Sequence, residues 1–252
     1  MLLRYLALPI LLCSLCLTGC GKKEKITHQI AVDPSWYPLY FQDKNNNVVG
    51  FSTELLRNIS KEEFTTFSIL YTNWDSLLEG LNNKQYGGIL TSLYPYNFNQ
   101  KNYSFSDLYL PTGPVLILPI SSPYQGLADI QGKQVAAING SSSITLLETY
   151  PQIVISFCDS IGQVVNQLQS GQVVAALLPW PIAQSLMQGT FQQNFILGSE
   201  PLNQEGLRLV TLKNYNPSLI KDFNKGLIKL QKSGLYTQLL IDWGIIPPPP
   251  GS

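Results

Sequence analysis

Asp33, Trp36, Trp74 and the pair Thr91-Ser92 are the side chains of this sequence best suited to holding a small molecule. They amount to one acid, two indole faces and two hydroxyls. Each stands at the end of an element that the sequence predicts. Asp33 and Trp36 follow a short apolar strand, Ile30-Ala31-Val32. Trp74 opens a helix, and Thr91-Ser92 follow Gly88-Ile89-Leu90. In an open α/β sheet, ligands sit just past the carboxyl ends of the strands. Residues 30–92, read as strand, loop, helix, strand, helix, strand, therefore bring these groups to one rim. The set reads as a binder rather than a catalyst.

Other chemistries find little support. The one histidine, His28, lies beside the start of the folded part and is expected to be solvated and without a role. No nucleophile–His–acid set can be assembled from it, and no metal cluster, P-loop or dinucleotide fingerprint is present. Sixteen basic and sixteen acidic residues balance to zero, so nothing favours nucleic acid. No cofactor is expected.

The N-terminus reads as a processing segment. Arg4 supplies a positive charge, and residues 6–17 form an apolar run of about a dozen, the length of a signal-peptide core and too short to span a bilayer. The run ends in Leu17-Thr18-Gly19-Cys20, which looks like a bacterial lipobox. Residues 1–19 are then a lipoprotein signal peptide, Cys20 the acylated first residue and 20–25 a polar tether. Cys13 and Cys16 leave with the signal. Cys158 remains alone, excluding an internal disulfide, and is expected to be buried packing.

Helix and strand patterns alternate along the rest. After the first strand comes a loop, 33–47, and a helix with Ser52 or Thr53 as N-cap and Leu55, Leu56 and Ile59 on its apolar face. A strand over 67–71, a helix from Asn73-Trp74-Asp75 and a strand over 86–90 follow. A polar, aromatic loop carries Tyr94 and Asn99. Pro111-Thr112-Gly113-Pro114 marks a crossing into a second unit. That unit has strands at 134–138, 153–157 and 173–178. Ser141 and Ser142 open one helix, 161–168 forms another, and a third starts at 181. A strand over 206–212 returns to the first unit, and helices over 217–234 and 236–243 close the chain. Such alternation means α/β with largely parallel sheets. Two lobes on a double hinge enclose a cleft that a ligand can close. Lobe 1 is expected at 26–112 with 206–246 and lobe 2 at 113–205. The tail, 247–252, is expected to be disordered.

These residues resemble the extracytoplasmic solute-binding proteins (family 3) of polar amino-acid ABC importers. The resemblance covers residues 26–246. Asp33-Pro34-Ser35-Trp36-Tyr37-Pro38 is similar to the family's Asp-x-x-aromatic-x-Pro opening, and Val48-Val49-Gly50-Phe51 to its Val-Gly-Phe. Trp74-Asp75-Ser76-Leu77-Leu78, Phe105-Ser106-Asp107-Leu108-Tyr109 and Gly140-Ser141-Ser142 match later motifs, in order. Ser233-Gly234-Leu235-Tyr236 with Trp243 matches the closing helices. The resemblance implies a type II periplasmic-binding-protein fold whose two strand crossovers act as the hinge. It implies that Trp36 and Trp74 sandwich the ligand side chain and that Asp33 reaches its polar end. Thr91, Ser92 and Ser142 would bond the ligand main chain, and Ser141 and Ser142 sit where free N–H groups favour a carboxylate. As alternatives, Trp36 and Trp74 are half-buried core aromatics, Asp33 caps its turn, and Thr91 and Ser92 are ordinary strand-end hydroxyls.

Two departures stand out. Where the family carries the Arg that grips the ligand α-carboxylate, this chain has Asn99, with Lys101 two residues on. Where the family has the acid that pairs with the α-ammonium, it has Pro179, followed by Trp180 as a third aromatic wall. Asn cannot replace the charge-assisted fork of Arg. The expected ligand is therefore a polar amino acid such as glutamine or arginine held weakly, or a related amine or amide without a free zwitterion. The expected partners are an ABC permease and its ATPase, and the membrane through the lipid anchor, with the folded part extracytoplasmic and monomeric. The competing function is a ligand-sensing or scaffolding module of the same fold, and a cleft enzyme is the weaker third.

Overall fold

The computed structural model of the protein describes residues 27–33, 48–63, 65–188, 191 and 193–245. The expected signal peptide, Cys20, Trp36 and the tail lie outside them.

Two sheets organise the chain. The first contains β1 (Thr27–Val32), β2 (Thr66–Tyr71), β3 (Gly88–Thr91), β4 (Tyr103–Phe105), β5 (Leu110–Pro111) and β11 (Gly206–Leu212). Its order is β2-β1-β3-β11-β4, with β5 also on β11. The second contains β6 (Pro114–Pro119), β7 (Gln134–Ile138), β8 (Val154–Cys158), β9 (Ala175–Pro179) and β10 (Phe195–Leu197), in the order β10-β6-β9-β7-β8. The two share one plan. Three parallel strands run second, first, third, and then comes an antiparallel strand that has crossed over from the other sheet. Parallel neighbours need helical crossovers, which explains the alternation read in the sequence. The chain leaves the first sheet between β5 and β6 and returns between β10 and β11, giving the two-lobed α/β fold with two crossovers.

Helices α1 (Val48–Glu63), α7 (Pro217–Ser233) and α8 (Leu235–Asp242) build the core on one face of the first sheet. Leu55, Leu56 and Ile59 of α1 are buried with Leu219, Phe223 and Leu227 of α7. Each such side chain contributes about 1.5–3 kcal/mol on burial. Phe51 stacks on Tyr109, which meets Phe223 edge-on. The other face is covered by α2 (Trp74–Asn82), whose Leu77 and Leu81 pack on Ala31, Ile89 and Val210. In the second sheet α4 (Ser142–Leu147), α5 (Ile161–Gln169) and α6 (Trp180–Gln188) play the corresponding parts. Cys158 is free and buried, as its isolation implied. Among the described residues no helix is long and apolar enough to cross a membrane.

Two expectations need correction. Helix α1 begins at Val48, so neither Ser52 nor Thr53 caps it. Ser52 is instead buried, with its hydroxyl 2.9 Å from that of Tyr109. His28 is not solvated either. It lies on β1, is buried, and stacks near Phe67. The Asn216 amide stands 3.3 Å from its Nδ1, while Nε2 has no partner among the described residues. Burial pulls its pKa below the ordinary 6.5, against an opposing pull from Asp222.

Candidate functional site

The register of the first sheet sets a row of polar residues along its carboxyl edge. Val32 pairs with Tyr71, Ala31 with Ile89, and Arg208 with Thr91. Continuing the β1–β3 register by two residues puts Asp33 level with Thr91. Asp33, Thr91 and Arg208 therefore stand side by side on three adjacent strands. With neighbouring strands about 4.8 Å apart, the backbones of Asp33 and Arg208 lie roughly 10 Å from each other, with Thr91 between. Alternation gives all three the face of Ala31, Ile89 and Val210, which is the face that α2 covers.

The loop from β2 joins the same corner. Thr72 N–H donates to the Val32 carbonyl at 3.0 Å. Asn73 then caps α2, its side chain accepting from Ser76 N–H at 2.9 Å. Trp74 is the first helical residue and is 45 % exposed. The N-terminus of α2 thus sets an open indole above the row, while Asp33 and Thr91 are buried at 4 % and 1 % exposure.

Beyond β3 the chain folds back on itself. Thr91 Oγ1 accepts from Leu93 N–H at 3.2 Å, which leaves its own proton to donate. Ser92 and Tyr94 are half-buried. The rings of Tyr94, Tyr96 and Phe98 follow one another at centroid distances of 4.6 and 5.4 Å. Asn99 begins the single turn α3 (Asn99–Asn102), and its Nδ2 donates to the Tyr94 carbonyl at 2.8 Å. Its amide closes the loop in this way. Lys101 is exposed on the same turn.

Arg208 escaped the sequence reading. It is 6 % exposed, and its Nη1 donates to the Gln204 carbonyl at 3.1 Å. Burial pulls its pKa below the ordinary value, with Tyr94 and Asp107 acting the other way. A guanidinium remains charged throughout the physiological range. The signal that could have found it is a lone cation inside the apolar run Gly206-Leu207-Arg208-Leu209-Val210.

On the second sheet, Ser141 and Ser142 follow β7 at its carboxyl end. Gly140 takes the left-handed backbone, φ 71°, that turns the chain. Ser141 is the N-cap of α4, and its hydroxyl donates to the Ile138 carbonyl at 2.6 Å rather than capping the helix. Trp180 departs from the expected open wall. It is 1 % exposed and belongs to the core with Val115, Leu178, Ala183 and Phe195. Its backbone N–H donates to the Gly113 carbonyl at 3.0 Å, at the crossover. The indole Nε1 has no partner among the described residues.

The profile of the bacterial extracellular solute-binding proteins, family 3, matches residues 29–245. Among similar proteins, the arginine-binding extracellular protein ArtP of Bacillus subtilis is 24 % identical over 253 residues, covering 95 % of this chain and 97 % of its own. The L-cystine-binding protein TcyJ of Escherichia coli is 24 % identical over 224 residues, covering 88 % and 84 %. The unliganded, open L-cystine solute receptor of Neisseria gonorrhoeae superposes with a TM-score of 0.74 at 18 % identity, over 88 % of this chain and 94 % of its own. The second substrate-binding domain of Lactococcus lactis GlnP, also open, gives 0.68 at 20 % identity, over 87 % and 96 %.

Proposed function

The chain belongs to the bacterial extracellular solute-binding proteins of family 3, and from that membership we propose that it captures a small polar amino acid in the cleft between its lobes and hands it to an ABC permease and its ATPase. The observation that carries the reading is the polar row on the carboxyl edge of parallel strands, where an open α/β sheet takes its ligands, with the exposed face of Trp74 beside it. Asp33 takes the cationic end of the ligand, Trp74 one face of its side chain, and Thr91 and Ser92 its main chain. Trp36 supplies the opposing face. Ser141 and Ser142 close on the ligand from lobe 2, residues 113–205, and the rest of the site lies on lobe 1, residues 26–112 with 206–246. The protein is a carrier and performs no catalysis. It works as a monomer, tethered through a diacylated Cys20. Intact-mass analysis of the membrane fraction should find that lipid and no residues 1–19, and a soluble protein with another N-terminus would refute the anchor.

Titration calorimetry against L-arginine, L-cystine and L-glutamine tests the function. At least one should bind with micromolar affinity or better. Trp74→Ala should weaken it about tenfold, the scale of about 1–2 kcal/mol for a desolvated indole contact. A folded protein that binds none of them would overturn transport of amino acids and favour a sensing or scaffolding role.

A further inference from the structure

We propose that Arg208 anchors the anionic group of the ligand, from the returning strand β11 rather than from the loop after β3; this rests on the cleft reading above. A buried arginine ordinarily serves a structural ion pair. Among the described residues the ion pairs are those of Lys225 and Lys229 with Glu63, and Arg208 makes none. Its one side-chain hydrogen bond there, Nη1 to the Gln204 carbonyl, uses one of five N–H donors. Neither its Nε nor its Nη2 is among the fully buried side-chain atoms without a partner, so the rest of the fork still reaches solvent at the carboxyl edge. A ligand carboxylate there would meet it with a two-pronged, charge-assisted contact.

The position suits that task. Arg208 pairs with Thr91, the last residue of β3, so its side chain emerges at the carboxyl edge where the candidate ligand groups gather. Tyr94, on the loop leaving that edge, is among the groups that act on it electrostatically. Asp33 stands on the far side of Thr91 in the same row. An acid and a cation roughly 10 Å apart at the backbone, with a hydroxyl between them, match a ligand carrying both charges. The loss of Arg at Asn99 therefore does not remove the positive anchor from this chain but moves it to a strand reached through the hinge. Of the two ligand classes that the sequence left open, a polar amino acid and a related amine or amide, this anchor selects the amino acid with its free α-carboxylate.

The test is calorimetry on the full chain with L-arginine, L-cystine and L-glutamine, each paired with its decarboxylated counterpart: agmatine, cystamine and 4-aminobutanamide. Wild type should prefer the parent acid by about a hundredfold, the scale of truncating one partner of a buried charge pair. Arg208→Gln should weaken the acid by the same factor and leave the decarboxylated compound unchanged, which closes the gap. Arg208→Lys keeps the charge without the fork and should lose about tenfold. Thermal unfolding by circular dichroism checks each variant, and if Arg208→Gln does not fold, Arg208→Lys decides alone. Unchanged affinity for the acid in a folded variant overturns the role of Arg208 and leaves the cleft reading standing. Absence of binding by wild type overturns the cleft reading and this inference with it.

Discussion

At the scale of single residues, His28 carries a consequence for pH. It is the one histidine of the chain, and burial holds its folded pKa below the ordinary 6.5. Between the folded and the unfolded pKa the unfolded chain binds more protons, so stability rises with pH there and is lost as pH falls from about 6.5. No other side chain ordinarily changes charge between about pH 5.5 and 7. Urea unfolding should therefore show stability falling through that window, and His28→Gln should flatten the slope even if it lowers stability overall. An equally steep slope in the variant would mean that His28 is not its source. Residue by residue, the sequence was a good guide where the neighbours are local. Asp33 directly follows the last residue of β1, Thr91 is the last residue of β3, and Trp74 begins its own helix. It failed where long-range pairing decides. Arg208 reaches Thr91 only through the antiparallel register of β11 on β3. Trp180 packs in the same core cluster as Leu178, together with Val115 and Phe195 from other strands, and the local pattern Leu177-Leu178-Pro179-Trp180 does not say that those strands cover it.

At the scale of elements, the motifs that carry the family resemblance prove largely to be packing. Gly50 lies under the ring of Trp243, so closely that a Cβ there would collide with the indole. Trp243 Nε1–H in turn donates to Glu54 Oε2 at 2.7 Å. Two motifs far apart in the chain are thus one contact between α1 and the end of α8. Ser106 does similar work. Its N–H donates to the Leu209 carbonyl at 2.8 Å and its hydroxyl accepts from Leu209 N–H at 2.9 Å, which fixes the motif to β11. Helices α1 and α7 approach at Gly226, where a Cβ would lie 2.5 Å from Ile59 Cγ2. Gly226→Ala would raise helix propensity by about 1 kcal/mol, but overpacking typically costs about 1–3 kcal/mol. The clash is against a fully buried, β-branched side chain, so the cost should win and the urea midpoint should fall. A higher midpoint would show that α7 can shift freely on α1. The end of that interface is closed by Glu63, between Lys225 at 2.6 Å and Lys229 at 2.7 Å. Burial pushes its carboxyl up, but the lysines' hydrogen bonds and charges outweigh it and hold the group below its ordinary range. Because the lysines are exposed, Glu63→Gln should cost only about 1 kcal/mol.

At the scale of the whole molecule, the two crossings form one unit. Gly206 pairs with Pro111, and Thr112 N–H donates to the Glu205 carbonyl at 3.0 Å. Gly113 lies against Asn203, where any Cβ would meet the Asn203 side chain and backbone. Two segments bonded side by side can bend together while resisting separation, which suits a hinge. A ligand can move such a hinge only as far as it binds the closed form more tightly than the open one. Asp33, Thr91 and Arg208 stand at the edge of the first sheet and Trp74 on the helix α2 that covers it, so all four would hold a ligand in either form. The differential affinity must then come from the second sheet, and Ser141 and Ser142 are its candidates. Ser142 offers a clean test, since it is the first residue of α4 and follows Ser141 at ψ 156°. Proline fits the first helical position, and an extended residue before it is what proline requires. Ser142→Pro should therefore fold normally while removing one N–H and one hydroxyl from the second lobe's contribution. With the tightest-binding amino acid of the calorimetric panel at saturation, small-angle scattering of wild type should show a smaller radius of gyration than without it. Ser142→Pro should still bind, more weakly, and should contract less. Full contraction of the variant would place the closing contacts elsewhere on the second lobe, and a wild type that binds without contracting would refute closure itself.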